Sequence, residues 1–268
     1  MNQIGESFSR LKARGEGALI AYVTAGDPDP SSTPRIVEAL VNGGADIVEL
    51  GIPFSDPIAD GPVIQAAMIR ALKAGTTPRK VLTIVRETKE RCDVPIAVLT
   101  YYNLIFRAGV PHFLGLAHDS GVDGLIVPDL PIEEATDYKR ICDSKGLDTI
   151  FLATPSTSTE RLHRIVDNTS GFLYLVSVFG VTGARATLQE STLRQVRRIV
   201  PVTAGRVPLA VGFGISKTEH VKAVIESGAD GAIVGSEFVH LIERNKASIV
   251  DVADAVEKRT KELKKATR

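Results

Sequence analysis

The chain has 268 residues, of which 44% are hydrophobic, so it is long enough to bury a large core. Its 32 basic and 32 acidic residues cancel to a formal net charge of zero, and no block of lysine and arginine stands out, which argues against a nucleic-acid partner. The longest apolar runs are far too short to span a bilayer, and the N-terminal residues are unlike a signal peptide. We therefore expect a cytoplasmic protein with no membrane contact.

Cysteine and histidine usage gives no sign of a disulfide or a metal site. Cys92 and Cys142 fall in predicted helices, far apart in the sequence, and both are expected to be reduced. The five histidines also lie on predicted helices, and none combines with cysteine or a carboxylate at a spacing typical of metal ligands. No metal is therefore expected.

Short β-branched runs alternate with amphipathic stretches along the whole chain. Eight of these runs are predicted strands: 18–24, 47–52, 95–101, 124–128, 149–153, 172–177, 208–213 and 231–235. Apolar strands separated by helices indicate a parallel sheet whose faces are covered. Eight strand–helix units in a chain of this length predict a (β/α)8 TIM barrel, with a doubly wound open sheet as the alternative.

Helices outside the regular alternation are predicted at both ends and after the second strand. Ile4, Phe8 and Leu11 form one face of an N-terminal helix that could close the bottom of the barrel. Further helices are expected at 78–91 and from residue 249 to near the end of the chain. No linker divides the sequence, so residues 1–268 are expected to form a single domain.

A weak internal repeat supports one repeated unit. The pattern Gly-x-Asp precedes a predicted strand four times, at 44–46, 121–123, 146–148 and 228–230. The glycine can end a helix in the left-handed conformation, and the aspartate suits a tight turn into the strand.

The second predicted strand contains a glutamate where a valine would be expected. Alternation along the strand points Glu49 into the barrel, near its mouth. The predicted strands contain no lysine or arginine that could pair with it, and an unpaired buried carboxylate holds its proton, so its pKa should rise towards neutrality. This environment suits a general acid–base catalyst, and a structural ion pair is the alternative.

Two aspartates follow Glu49 in the segment that links this strand to the next helix. Asp60 precedes Gly61 and Pro62, where it could equally well cap that helix. Asp56 has the composition of a turn residue, and exposure or contact with a partner is expected of it.

Glycine-rich turns follow the last three predicted strands, at 180–183, 212–214 and 235–236. Small residues let backbone N–H groups approach an anion closely, and the helix that begins after Gly235 aims its free amides at the same place. Loops after the last two strands form the recurrent phosphate site of these barrels. The pattern predicts a phosphorylated ligand, although it could also reflect tight turns alone. No lysine lies at a strand end, which argues against a Schiff-base aldolase.

Three segments of the chain resemble the α subunit of tryptophan synthase: V-E-L-G-I-P-F-S-D-P-I-A-D-G-P-V-I-Q at 48–65, V-F-G-V-T-G-A-R at 178–185 and V-G-F-G-I-S at 211–216. The resemblance runs in order through nearly the whole chain. It implies a lyase of tryptophan biosynthesis that cleaves indole-3-glycerol phosphate to indole and D-glyceraldehyde 3-phosphate in a retro-aldol reaction. It also implies that this subunit needs no cofactor.

The same resemblance assigns roles to individual residues. It makes Glu49 and Asp60 the catalytic pair and puts Tyr174 near the reacting centre. Around the indole it implies Tyr22, Ile64, Leu99, Tyr101 and Phe213. At the phosphate it implies Gly183, Gly214, Gly235 and Ser236. Thr182, in the loop after the sixth strand, is expected to help close the site and orient Asp60.

The resemblance further implies a partner, a β subunit that carries pyridoxal phosphate, in an α2β2 heterotetramer through which indole passes. Pro53, Phe54 and Asp56 would then belong to the inter-subunit loop. The chain departs from the family at Val178-Phe179, where many members carry a polar pair, and this departure bears on how the closed loop is latched. Tyr22, often Phe in the family, adds a hydroxyl to the indole pocket.

Two other functions fit parts of the pattern. Another phosphosugar barrel enzyme, such as indoleglycerol-phosphate synthase, would favour a basic catalytic residue at a strand end, which this sequence lacks. A non-catalytic allosteric subunit that only binds glycerol phosphate would have no use for Glu49 and Asp60 together.

Overall fold

The computed structural model describes residues 3–176, 190–212 and 214–268. Its strands are β1 (Ala18–Thr24), β2 (Ile47–Gly51), β3 (Ile96–Leu99), β4 (Gly124–Ile126), β5 (Asp148–Ile150), β6 (Leu152–Ala153), β7 (Leu173–Val176), β8 (Leu209–Gly212) and β9 (Gly231–Val234). Its helices are α1 (Gln3–Ala13), α2 (Thr33–Asn42), α3 (Pro62–Lys73), α4 (Pro78–Arg91), α5 (Tyr102–Ala108), α6 (Val110–Asp119), α7 (Thr136–Lys145), α8 (Thr159–Asn168), α9 (Glu190–Thr203), α10 (Thr218–Glu226), α11 (Ser236–Asn245) and α12 (Ile249–Lys265). Two short 3-10 helices occupy Pro30–Ser32 and Ile132–Glu134.

All pairings between neighbouring strands are parallel, in the order β5-β4-β3-β2-β1-β9-β8-β7-β6. The two outermost strands of this order, β5 and β6, are separated only by Phe151, whose carbonyl accepts the N–H of Tyr174 at 3.0 Å. The sheet therefore closes on itself through one interrupted strand. The predicted TIM barrel is confirmed, and the doubly wound alternative is wrong.

The predicted strands are correct in place but too long at several ends. The strand predicted at 95–101 is observed as Ile96–Leu99, because Tyr101 has already become the residue that precedes α5. The strand predicted at 231–235 ends at Val234, because Gly235 precedes α11. The strand predicted at 149–153 is split into β5 and β6. At each of these ends the turn into the next element begins before the apolar pattern stops.

Helix α1 closes the bottom of the barrel, as predicted. Its apolar face is formed by Ile4, Phe8 and Leu11, all of which are buried. The ring of Phe8 lies 5.9 Å from that of Phe172, measured between centroids. Gly231 leaves room for it, since a Cβ there would lie 3.3 Å from the Phe8 ring.

The repeated Gly-x-Asp units join helix ends to the amino ends of the strands. Their four glycines all have positive φ, from 71° to 101°, as a left-handed helix end requires. In three of the units the aspartate accepts the backbone N–H at the start of the neighbouring strand, which a parallel ladder leaves without a partner. These bonds join Leu19 to Asp46 (2.8 Å), Ile96 to Asp123 (2.7 Å) and Leu209 to Asp230 (2.8 Å).

The C-terminal helix α12 packs against α2 and α11 on the outside of the barrel. Near the end of α12, Nζ of Lys264 donates to Asp46 at 2.8 Å and to the carbonyl of Gly17 at 3.2 Å. These bonds connect the helix to the amino ends of the strands. Cys92 and Cys142 are buried and unpaired. Across the described ranges, no helix combines the length and apolar character needed to cross a membrane.

Candidate active site

Strand β2 places Glu49 inside the barrel, in register with Tyr22 of β1 and Ala97 of β3. Its side chain is 1% exposed, and neither carboxylate oxygen has a hydrogen-bond partner among the described residues. Burial, with a smaller contribution from the nearby charge of Asp60, raises its pKa to about 8. The predicted orientation and pKa direction are confirmed. The structural ion pair has no partner within the part of the chain described.

Asp60 lies in the loop between β2 and α3, half-buried, with Oδ2 accepting the hydroxyl of Tyr101 at 2.7 Å. Burial raises its pKa to about 6, and the hydrogen bond from Tyr101 opposes that rise because it favours the ionised form. Helix α3 is preceded by Gly61, and no side chain caps it. The alternative of Asp60 as a helix cap is therefore wrong.

Tyr101 organises the loop that carries Asp60. It follows β3, which is the neighbour of β2, and its hydroxyl also accepts the N–H of Ala59 at 2.9 Å. Its ring packs against Phe54 with centroids 5.0 Å apart. Sequence reasoning expected an indole contact and missed this bond to Asp60. The available signal was position, since residues that follow adjacent parallel strands emerge side by side.

Two more tyrosines share the barrel interior with the carboxylates. Tyr22 and Tyr174 are 5% and 6% exposed, and the hydroxyl of Tyr22 lies 3.1 Å from Thr24 Oγ1. Burial raises the pKa of both tyrosines well above the usual value, and the charges of Glu49 and Asp60 raise them further. The four groups are therefore close enough to interact electrostatically.

Glycines make room for these tyrosine rings. A Cβ on Gly51 would lie 2.3 Å from the hydroxyl of Tyr22, and one on Gly212 would lie 2.6 Å from the hydroxyl of Tyr174. Both glycines are the last residues of their strands, at the carboxyl end of the barrel. Any side chain at either position would force a ring to move.

Apolar side chains complete the inner wall. Ile64 and Leu99, predicted around the indole, are both buried and belong to the inner apolar cluster that contains Tyr22 and Tyr174. Ile64 comes from α3 and Leu99 from the end of β3. The structure thus brings Tyr22, Ile64, Leu99 and Tyr174 into one cluster inside the barrel. The predicted residues Phe213, Thr182 and Gly183 lie outside the described residues, as does the Val178-Phe179 pair.

The turns after β8 and β9 offer backbone N–H groups at the same end of the barrel. Gly235 precedes α11, and no side chain caps that helix, so its first amides have no partner within the helix. Ser236, its first residue, is exposed. Gly214 has a φ of 77°, and its missing side chain leaves open space within 4 Å. The predicted phosphate residues that the structure describes therefore lie in the turns after β8 and β9, beside the uncapped start of α11.

The predicted partner residues differ in exposure. Pro53 is buried, Phe54 is half-buried against Tyr101, and Asp56 is exposed and accepts a hydrogen bond from the hydroxyl of Ser55 at 2.5 Å. Ile58, in the same loop, is 84% exposed. The exposed residues of the loop are therefore Ser55, Asp56, Ile58 and Ala59 rather than Phe54.

Comparison with known proteins identifies the family of this chain. The family model described as "Tryptophan synthase alpha chain" matches residues 8–268. A tryptophan synthase alpha chain from Methanosarcina barkeri is 50% identical over 262 residues, covering 98% of this chain and 96% of that protein. One from Arabidopsis thaliana is 45% identical over 91% of this chain and 88% of its own length.

Solved structures give the same result. Tryptophan synthase subunit alpha from Legionella pneumophila superposes with a TM-score of 0.91 at 37% identity, covering 100% of this chain and 98% of that one. The tryptophan synthase complex from Pyrococcus furiosus contains a chain that matches with a TM-score of 0.86 at 43% identity, covering 92% and 98%. In both sequence and fold, this chain belongs to the tryptophan synthase alpha chain family.

Proposed function

We propose that this chain cleaves indole-3-glycerol phosphate to indole and D-glyceraldehyde 3-phosphate. The observation that carries the proposal is the carboxyl group of Glu49, buried in the barrel with a pKa raised to about 8 and no partner among the residues described. Such a group is protonated at neutral pH, so it can act as an acid, and it can return as a base once it has given its proton away.

The reaction breaks the bond between indole C3 and the glycerol chain. Glu49 donates its proton to C3, which gives an indolenine with positive charge on the ring. The carboxylate then removes the proton of the hydroxyl on the adjacent carbon. As the aldehyde forms, the electrons of the breaking carbon–carbon bond return to the ring, which leaves as indole. Glu49 ends protonated, so no water, oxidant or cofactor is consumed in this chain.

Asp60 is proposed to stabilise the charge that develops on the ring. With a pKa of about 6 it is ionised at neutral pH, and the hydrogen bond from Tyr101 favours that form. A carboxylate beside the indole N–H is more favourable to the charged intermediate than to the neutral substrate, as transition-state stabilisation requires. Tyr174 would lie beside the reacting centre, in electrostatic reach of both carboxylates.

The two ends of the substrate fit different parts of the site. The inner apolar cluster that includes Tyr22, Ile64 and Leu99 offers a pocket of the chemistry that an indole ring needs. Gly214, Gly235 and Ser236 offer backbone amides for the phosphate. Phe213, Thr182 and Gly183 keep the roles that the family resemblance implies.

A β subunit is the proposed partner. The solved relatives from Pyrococcus furiosus include a tryptophan synthase complex, and one is described as an a2b2 complex with mutual activation. We place Pro53, Phe54 and Asp56 at the corresponding interface, with Ile58 as the apolar group that burial there would cover. Pyridoxal phosphate would remain with the β subunit. The proposed location is the cytoplasm, as expected of a biosynthetic enzyme.

The replacement Glu49→Gln tests the proposal. Because it removes the transferable proton but keeps the shape of the side chain, turnover should fall by about 100-fold to 10,000-fold while substrate binding persists. Indole release is measured by the chain alone and with a β subunit, and substrate binding by calorimetry. Glu87→Gln, an exposed position on α4, is the matched control and should leave release unchanged. Retention of most activity in Glu49→Gln would remove Glu49 from the mechanism.

The same assay separates the lyase from a non-catalytic binding subunit. A lyase releases indole slowly on its own and faster with the β subunit, because closure around the substrate excludes water and aligns the acid. A binding subunit would release none under either condition while still taking up glycerol 3-phosphate.

A further inference from the structure

Arg259 connects the two turns that form the proposed phosphate site. It lies on α12, near the end of the chain, and its guanidinium is largely buried. Nη2 donates to the carbonyl of Ser216 at 2.7 Å, and Nε donates to Oε1 of Glu237 at 2.8 Å. Nη1 donates to Glu262, on the same helix, at 2.7 Å. One rigid, planar group therefore spans two separate elements.

Both of those elements carry residues of the phosphate site. Ser216 lies two residues after Gly214, in the turn that follows β8, and its N–H is held from the other side by Nδ1 of His220 at 3.4 Å. Glu237 is the second residue of α11, directly after Ser236. Arg259 thus fixes the turn after β8 against the first turn of α11, whose free amides would receive the anion.

The ion pair between Arg259 and Glu237 also changes the charge at the amino end of α11. A carboxylate in the first turn of a helix interacts favourably with the positive end of the helix dipole, and it repels an anion that approaches the same amides. Arg259 pairs with Glu237, which reduces that repulsion and holds the carboxylate on the α12 side. Without Arg259 the helix end would be both less firmly placed and more negative.

We propose that Arg259 is a positioning residue for the phosphate group of the substrate. It sets the separation between the Gly214 turn and the amino end of α11 and partly offsets the charge of Glu237, and it acts through these residues rather than by touching the ligand. The inference rests on the phosphate site of the proposed function. It adds a specific role for a residue of the C-terminal helix, far from that site in the sequence.

Lys264 provides a matched control on the same helix. It too forms a half-buried ion pair, with Asp46 at 2.8 Å, but this pair lies at the amino ends of the strands, opposite the phosphate site. Replacement of either residue by Met should reduce stability. Only Arg259→Met should change the binding of a phosphate ligand.

The test measures binding of glycerol 3-phosphate and, separately, of indole by calorimetry on the full-length chain. Arg259→Met should weaken glycerol 3-phosphate binding about tenfold and leave indole binding within about twofold, since the dipole and charge effects act on the anion alone. Arg259→Lys keeps the charge but cannot span both acceptors, so it should weaken phosphate binding by a smaller factor. In the complex with a β subunit, KM should rise more than kcat falls.

The results distinguish the role of Arg259 from the proposed phosphate site on which it depends. If the unaltered chain binds no glycerol 3-phosphate, the phosphate site and the role of Arg259 are both overturned. If it binds and Arg259→Met binds equally well, only the role of Arg259 is overturned. An equal loss of indole binding, or an equal loss in Lys264→Met, would show a general effect on the fold and would also overturn it. If Arg259→Met does not fold, Arg259→Lys decides, and unchanged affinity there counts against the inference.

Discussion

Glu49 keeps its proton because strand β2 buries its carboxyl group where no described residue donates a hydrogen bond or a positive charge to it. Its neighbours across the ladder are Tyr22 and Ala97, and the residues that pack inside the barrel around it are apolar or phenolic. Asp60, the other acid within electrostatic reach, is half-buried and held by Tyr101, and it titrates lower. Of these two neighbouring carboxyl groups, Glu49 is therefore mostly protonated and Asp60 mostly ionised near pH 7.

This arrangement has a consequence for stability. Because the pKa of Glu49 is raised from 4.5 to about 8, the native state binds more protons than the unfolded state between those values. The unfolding free energy should therefore decrease as pH rises through that window, by on the order of 1.4 kcal/mol for each unit of pKa shift. Measured by urea unfolding, the advantage of the parent over Glu49→Gln should be greatest below about pH 4.5 and diminish by pH 9.

Glu87→Gln supplies the comparison for that series. Its side chain is exposed, so its effect on the unfolding free energy should not change over the same pH range. If the difference between the parent and Glu49→Gln is also constant with pH, Glu49 does not carry a raised pKa.

The two carboxyl groups also predict the pH profile of catalysis. Activity should rise as Asp60 ionises, near pH 6, and fall as Glu49 loses its proton, near pH 8, with apparent values that belong to the coupled pair. Removing the hydroxyl in Tyr101→Phe removes the hydrogen bond that lowers the pKa of Asp60. The rising limb of kcat/KM should then shift to higher pH, and its maximum should fall about tenfold.

The neighbouring Tyr102→Phe is the control for this profile. Tyr102 is half-buried against Phe106 and Tyr138 and makes no described contact with Asp60. Its replacement should leave both limbs in place. A Tyr101→Phe profile that matches the parent would show that the Tyr101 hydroxyl does not control Asp60.

At the scale of elements, glycines at the carboxyl ends of the strands decide where the tyrosine rings lie. Gly51, the last residue of β2, lies against the ring of Tyr22, and Gly212, the last residue of β8, lies against the ring of Tyr174. The strands predicted from the sequence run one residue past each glycine, to 52 and 213, so the sequence did not single out either glycine as a strand end. Only the closed sheet reveals which ring each missing side chain accommodates, because the two members of each pair are distant in sequence or come from different strands.

A pair of glycine-to-alanine replacements tests this interpretation. In Gly212→Ala the new Cβ would lie 2.6 Å from the Tyr174 hydroxyl, so the ring must move. We expect a loss of about 1–3 kcal/mol of unfolding free energy from this overpacking, together with reduced indole release. Gly115 lies within α6, where the nearest atom to a Cβ is the Lys145 ammonium at 3.7 Å.

The second replacement should have the opposite sign. Gly115→Ala should stabilise the chain by about 0.5–1 kcal/mol, because it restricts the unfolded backbone and meets no obstruction. Chemical denaturation of both variants measures the contrast. Equal effects on stability would show that the packing around Tyr174 tolerates a methyl group at position 212.

At the scale of the whole molecule, the two ends of the barrel are separate regions. The amino ends of the strands are closed by α1 and fastened by aspartates and Lys264, whereas the carboxyl ends carry Glu49, Asp60 and the glycine turns. Changes at the amino ends of the strands should therefore alter stability without altering the chemistry. This division is typical of the fold.

Phe8→Ala tests that separation. Phe8 is 5% exposed and packs on Phe172, so its truncation should cost about 3–5 kcal/mol of unfolding free energy. The kcat of the remaining folded protein should be unchanged, because α1 lies opposite the site. Phe106→Ala, at a position 67% exposed, should alter stability by no more than about 0.5 kcal/mol. A large fall in kcat for Phe8→Ala in folded protein would contradict the separation.

The sequence alone determined the barrel, the strand order along the chain, the closing helix α1 and the inward direction of Glu49. These follow from local periodicity and from the two-residue alternation of a strand, which need no knowledge of distant residues. It also located the glycine turns, although their ligand was an interpretation based on the fold.

Tertiary structure decided the contacts between residues distant in the chain. It showed that Tyr101 holds Asp60, that Asp60 is not a helix cap, that the fifth strand is interrupted at Phe151, and that Arg259 joins two turns. Each of these depends on which side chains meet when the sheet closes, and barrel closure places residues side by side that no local pattern relates. The burial and raised pKa of Glu49 could therefore be predicted from one strand, while the positions of its neighbours required the complete barrel.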